Sequence, residues 1–202
     1  MPKRLIALLI VLLSSYAFAK KDDNAVYEIT AEPHEGYEVK DNVIYYRQGS
    51  AGVIFELAQD ATIRKYYADR GAAWLANPFL QSPDLATATV FLVSLVNRTN
   101  SVLSFTPGYV VMKMGDMTSF PMDFSLLLTA MQDYRSDVHK ILDRSIYSSP
   151  VDVHPGEVVS KFLFYPHLPS KNASFRIEVD NLYFQNKEAR VTFYYSMHKK
   201  KP

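Results

Sequence analysis

The sequence predicts a mainly β fold, an antiparallel β-sandwich of about eight strands with two inserted or flanking helices. Three observations predict it. Short segments with alternating or continuous apolar character recur between Gly, Pro, Asn and Asp turn signals at fairly regular spacing. Two longer stretches carry a helical period but do not alternate with single strands, which argues against a βαβ sheet. The chain also holds 14 Tyr and 12 Phe in 202 residues, residue types that fit a pleated surface with one face of the ring packed.

The first segment reads as an address rather than structure. Lys3 and Arg4 form a positive start, Leu5 to Leu13 an unbroken apolar run, and Ala17-Phe18-Ala19 a small-x-small cleavage pattern, so residues 1–19 are expected to be a signal peptide cut after Ala19. The competing reading is a membrane anchor. The run falls short of the roughly 20 apolar residues that span a bilayer, and Ser14 and Ser15 interrupt it. The expectation is an exported protein, periplasmic or extracellular, that does not span a membrane after cleavage.

Removal of Lys3 and Arg4 changes the charge sum: 22 − 2 = 20 basic residues against 21 acidic ones leaves −1. No basic surplus points to nucleic acid, and Lys199 to Lys201 form only a short basic tail. The sequence contains no cysteine. Disulfides, thiolate metal sites, cysteine nucleophiles and a lipidated cysteine are therefore all excluded.

Residues 20–35 are polar, contain Pro33 and keep no period, so a flexible leader is expected there, with a single domain over 36–198. Tyr37, Val39, Val43, Tyr45 and Arg47 alternate about an Asp41-Asn42 turn, and Gly49 to Gly52 turns the chain into Val53 to Leu57. Asp60 can cap a helix over 60–75, because Ile63, Tyr66, Tyr67, Arg70 and Trp74 recur at helical spacing until Asn77-Pro78 stops it. Thr87 to Asn97 is apolar at nearly every position, the pattern of a strand buried on both faces.

After the Asn97 to Asn100 turn come strands at Val102 to Phe105 and Tyr109 to Met114, separated by Pro107-Gly108. From 123 to 148 the period becomes helical: Phe124, Leu127, Leu128, Met131, Val138 and Leu142 lie on one stripe, with a break near Ser136. That stripe should cover a sheet face or edge, since a sandwich interior has no room for it. Pro150 ends the helix, residues 151–157 form a loop, and strands follow near Val158 to Tyr165, Ser174 to Phe184 and Ala189 to Ser196.

Phe91 to Thr99, then Pro107-Gly108-Tyr109-Val110-Val111, then Pro155-Gly156-Glu157 leading into Phe162-Leu163-Phe164, together resemble the immunoglobulin-like sandwich modules of bacterial exported proteins and lipoproteins of unknown function. In those modules an Asn-x-Thr or Asn-x-Ser turn ends one strand and a Pro-Gly-Glu loop opens a later one. The likeness covers about half of the chain, and both helices depart from it as insertions. It implies a non-catalytic binding or assembly module.

Chemistry is sparse. Met112, Met114, Met117 and Met122 are candidate thioether ligands, a donor type that selects Cu(I). The alternative is that they fill the core beneath the second helix. There is no G-x-S-x-G elbow, P-loop or zinc pattern, and His34-Glu35 lacks the second histidine of H-E-x-x-H. Glu178 and Asp180 share a strand and read as a solvated face. Asn97-Arg98-Thr99 and Asn172-Ala173-Ser174 fit the glycosylation pattern but read as turns.

The strongest functional candidate is the partner-binding set Tyr66, Tyr67, Arg70, Trp74 and Phe79, because Tyr, Trp and Arg dominate interface hot spots. The opposing reading packs this face on a sheet. The expectation is an exported protein without catalysis or cofactor that recognises a protein or envelope partner. Periplasmic Cu(I) binding through the Met cluster and an unrecognised hydrolase are the alternatives.

Overall fold

The computed structural model describes residues 27–132, 134–168 and 173–199. The expected signal peptide and its cleavage point, leader residues 20–26, the Asn172 of the second sequon and the last lysines of the tail lie outside the described residues.

Two antiparallel sheets face each other, as the sequence predicts. The five-stranded sheet runs β10-β5-β4-β3-β2, with β2 Tyr37–Lys40, β3 Val43–Gln48, β4 Ala51–Leu57, β5 Thr89–Asn97 and β10 Val158–Tyr165. The seven-stranded sheet runs β1-β12-β11-β6-β9, from β1 Tyr27–Ala31, β12 Lys187–Lys199, β11 Ala173–Phe184, β6 Leu103–Phe105 and β9 Val151–Val153. Its remaining strands, β7 Val110–Met114 and β8 Met117–Ser119, form a hairpin attached to β11. The expectation of about eight strands thus becomes twelve among the described residues: β1 lies in the expected leader, β9 in the expected loop over 151–157, and β8 in a stretch with no expected element.

Strand β1 corrects the flexible leader expected over 20–35. Its residues pair with β12 from Tyr27 opposite Lys199 to Ala31 opposite Tyr195. Ala31 is buried, and Ile29 packs against the core. Only a partner more than 160 positions away makes this segment a strand, so local pattern could not reveal it. A side chain from the other sheet secures its far edge. Asn42 accepts from the Ala31 N–H and donates to the Ile29 carbonyl at 2.9 Å. It does so from the β2–β3 turn, where Asp41 and Asn42 have φ of 51° and 64°, the double left-handed geometry of a type I′ hairpin.

Between the sheets lies the main core. Ile44, Val53, Phe55, Phe91, Val93 and Leu95 face Ile177, Val179, Val191, Phe193 and Tyr195, and the Phe55 and Phe193 rings stack at 4.3 Å. Alternation along each strand sets this up, since residues two apart share a face. On the opposite side of the five-stranded sheet, Val90, Phe162 and Phe164 meet a second core made by the helices.

Those helices are α1 Asp60–Ala68, the single turn α2 Pro83–Ala86, α3 Phe124–Ala130 and α4 Ser136–Ser145. Two sequence boundaries change here. The helix expected over 60–75 stops at Ala68. Gly71, with φ of 75°, lets the Ala72 N–H reach back to the Tyr67 carbonyl at 2.8 Å, a Schellman-type stop that glycine permits. The helix expected over 123–148 divides into α3 and α4, the second starting at the expected break at Ser136. Of the expected stripe, Leu127, Met131, Val138 and Leu142 are buried in the helix-side core and Phe124 packs on it, while Leu128 is exposed. No helix among the described residues is long and apolar enough to cross a membrane.

The helical layer also caps an edge. Strand β10 borders the five-stranded sheet, and three of its outward carbonyls are engaged: Ser160 accepts from the Tyr66 hydroxyl at 2.9 Å, Phe162 from the Tyr147 N–H at 3.0 Å and Phe164 from the Met122 N–H at 2.7 Å.

Candidate functional site

Three of the five residues expected to bind a partner are core. Tyr66, Tyr67 and Phe79 are buried in the helix-side cluster. Tyr66 lies 4.5 Å from Phe162, and Phe79 meets Phe164 edge-on at 4.7 Å, pairs worth about 0.5–1.5 kcal/mol each beyond the area they bury. The Tyr67 hydroxyl bonds Ser145 Oγ at 2.9 Å, and Ser145 in turn donates to the Leu142 carbonyl at 2.9 Å. Burial pushes the Tyr67 phenol well above its ordinary range, so it stays protonated and ties α1 to α4.

Arg70 and Trp74 are the exposed members. The Arg70 guanidinium lies over the Tyr66 ring at 3.6 Å and donates to the Tyr66 carbonyl at 3.2 Å. This cation–π and hydrogen-bond seat fixes its position at the end of α1. Trp74, the only tryptophan of the chain, is 59% exposed. It sits in a 3-10 turn, Ala73–Leu75, that ends at Ala76 with φ 50° and ψ −114°. Glycine enters that region freely, whereas an alanine there costs of the order of 1–3 kcal/mol.

The end of α1, this turn and the last turn of α4 enclose a cleft of about 320 Å³. Arg70, Trp74, Ile141 and Arg144 line it above a floor that includes Tyr67 and Ser145. Neither Arg70 nor Arg144 has a carboxylate partner among the described residues, while seven other ion pairs are formed there. Arg70 also lines a neighbouring hollow of about 380 Å³ with Glu56, Lys65 and Asp69. The cleft therefore holds an exposed indole and two guanidinium groups with no carboxylate partner among the described residues, which suits an anionic group next to an apolar one. Arg144 was missed in sequence because it falls on the polar side of α4, where one more cation carries no signal.

The methionines do not gather on one side. Met112 is buried between the sheets, Met114 packs on that same core, and Met122 packs on the helix-side core. Met114 and Met117 are opposite each other in the β7–β8 hairpin, which leaves two thioethers as cross-strand neighbours. No cluster of three or more His, Asp or Glu side chains able to hold a metal is present among the described residues. Glu178 is held by Lys113 at 2.6 Å and Arg176 at 2.7 Å, and Asp180 faces Arg190 at 3.3 Å. These carboxylates are ion-paired on the strand face and are not paired with each other.

Asn97 of the first sequon is fully buried. Its amide donates to the Ser101 and Val153 carbonyls at 2.8 and 2.7 Å, and its oxygen accepts from the Thr99 N–H at 3.0 Å. The pattern is a turn, as read from sequence, with the side chain as its internal brace. No family model, curated protein or solved structure matches this chain.

Proposed function

We propose that this is an exported, non-catalytic binding module that recognises a protein or envelope partner through the cleft between α1 and α4. One observation carries the reading: an exposed Trp74 shares one cleft with two arginines that have no carboxylate partner among the described residues. Tryptophan and arginine are enriched at binding hot spots, and an exposed indole costs free energy in water that a partner would recover. The partner's matching feature is an acidic segment carrying an apolar side chain. The signal-like first 19 residues and the resemblance to immunoglobulin-like modules of exported proteins support the address and the absence of chemistry.

Only the two exposed members of the expected set, joined by Arg144, are assigned to contact. Tyr66, Tyr67 and Phe79 hold the cleft in shape. In the test, the protein is crosslinked in its native envelope and the partner identified by mass. Trp74→Ala and Arg144→Gln should each lose that crosslink while keeping the circular dichroism spectrum of the parent. A crosslink that survives both changes removes the cleft from the interaction.

A further inference from the structure

The helices leave half of the outer face of the five-stranded sheet open. Sequence gave β5 two apolar faces along its length, yet the helical layer covers only its first half. The register sets out the outer face in rows. Glu56, Leu92 and Phe162 stand side by side under α1. Next comes Tyr45, Ile54, Ser94 and Ser160, where the two serine hydroxyls bond at 2.7 Å. The last row is Arg47, Gly52, Val96 and Val158.

These last two rows are where apolar side chains remain uncovered. Ile54 and Val96 are half-buried and Val158 is 50% exposed, although a sheet face turned to water is ordinarily polar. Gly52 contributes no side chain, and none fits: a Cβ there would stand 2.6 Å from the Tyr46 carbonyl oxygen. The result is a trough of about 400 Å³ floored by Tyr45, Ile54 and Val96 with Arg47 and Arg98 on its lining. Arg98 is pinned by a 2.7 Å bond to the Gly156 carbonyl, and its other N–H groups bond to nothing among the described residues. No carboxylate among the described residues lines the trough; Glu38 stands 3.7 Å from Arg47 in a loose, exposed pair.

We propose that this trough binds a monomeric single-chain amphiphile with a carboxylate head, its alkyl chain on Ile54 and Val96 and its head on the Arg98 and Arg47 guanidinium groups. An apolar floor with charge at one end only selects such a molecule over a neutral one, and over a head group without a chain.

The test is calorimetric titration of the full protein with sodium decanoate below its micellar range, with acetate and octyl glucoside as the chain-free and uncharged probes. Decanoate should bind saturably at one site, acetate should not bind, and Arg98→Gln should weaken decanoate about tenfold, the scale of one charge-assisted hydrogen bond. Because Arg98 also braces Gly156, the exposed Arg47→Gln serves as a second variant and should weaken binding in the same direction. Val96→Glu, with an unchanged circular dichroism spectrum, should abolish binding. Trp74 emission should stay constant throughout, since that indole belongs to the other cleft. Binding unaltered in Val96→Glu, decanoate no better than octyl glucoside, a Trp74 response, or dimerisation through this face without decanoate uptake would each overturn the proposal.

Discussion

The side-chain amide of Asn97 donates to the Val153 carbonyl at 2.7 Å, joining the end of β5 in one sheet to the end of β9 in the other. Backbone bonds run alongside it: the Asn97 N–H donates to Glu157 at 3.0 Å, and the Gly156 N–H donates to Asn97 at 2.8 Å. Two sheets in a sandwich share no ladder, so a buried amide with every hydrogen-bonding group engaged ties their ends as apolar packing cannot. Asn97→Ala would leave buried carbonyls unmatched and should cost about 3 kcal/mol, the sum of one to two unsatisfied buried groups. Urea unfolding monitored by circular dichroism measures it, and a loss under half of that would assign the joint to packing instead.

Tyr195 presents the opposite case. Its hydroxyl is buried with no hydrogen-bond partner among the described residues, while its ring stacks on Phe175 at 5.1 Å. Tyr195→Phe keeps the stack and removes the unmatched polar atom. The variant should be as stable as the parent or more so by about 1 kcal/mol, since an unsatisfied buried group costs about that much. Thermal melting decides it, and a clear drop in midpoint would show that the hydroxyl has a partner in solution.

Glu178 gives a pH signature. Hydrogen bonds from Lys113, then from Arg176, hold its carboxyl below the ordinary glutamate value of 4.5. A carboxylate depressed in the folded state adds stability above its unfolded pKa and loses it as pH falls through the folded one. Glu178→Gln should therefore be less stable than the parent by about 0.5–1 kcal/mol at pH 7, the scale of partly exposed ion pairs. The difference should shrink once pH passes below 4.5 and vanish in stronger acid. A gap that stays constant down the acid range would mean that the pair contributes by packing.

Ala76 should respond to glycine. With φ at 50° and ψ at −114°, it holds a conformation that L side chains resist. Ala76→Gly relieves that strain, offset by the greater freedom of glycine in the unfolded chain, for a net gain of about 1 kcal/mol. The gain appears as a raised denaturation midpoint. If Trp74 needs the strained turn to stand out beside Arg144, the same variant should weaken partner capture, which separates stability from function in one protein.

Much of the fold was legible because local pattern and tertiary demand agreed. The Asp41-Asn42 turn, the inner face of β5 and the stripe through Leu127, Val138 and Leu142 each state their environment within a dozen residues, whereas the burial expected on both faces of β5 holds only over its first half. What escaped depends on distant partners. Strand β1 exists through β12, and the stop of α1 rests on one bond back from Ala72 to Tyr67. The candidate site divided for a related reason. Spacing placed Tyr66, Tyr67, Arg70 and Trp74 on one surface, but the Gly71 turn breaks that surface, sending the tyrosines inward and leaving Arg70 and Trp74 outside. Arg144 entered only when α4 was laid against α1.

The capped edge of β10 bears on how this protein can fail. Phe162-Leu163-Phe164-Tyr165 is apolar, rich in aromatic residues and without charge, the composition that stacks into fibrils when an edge is bare. Tyr66, Tyr147 and Met122 occupy the carbonyls that a second chain would seek. Tyr147 belongs to the main core, whereas Tyr66 and Met122 pack on the helix side of the sheet, so local opening of that layer would bare Ser160 and Phe164 without melting the sandwich. Self-association should then begin from molecules that are still largely native, with a rate set by how often the helices lift.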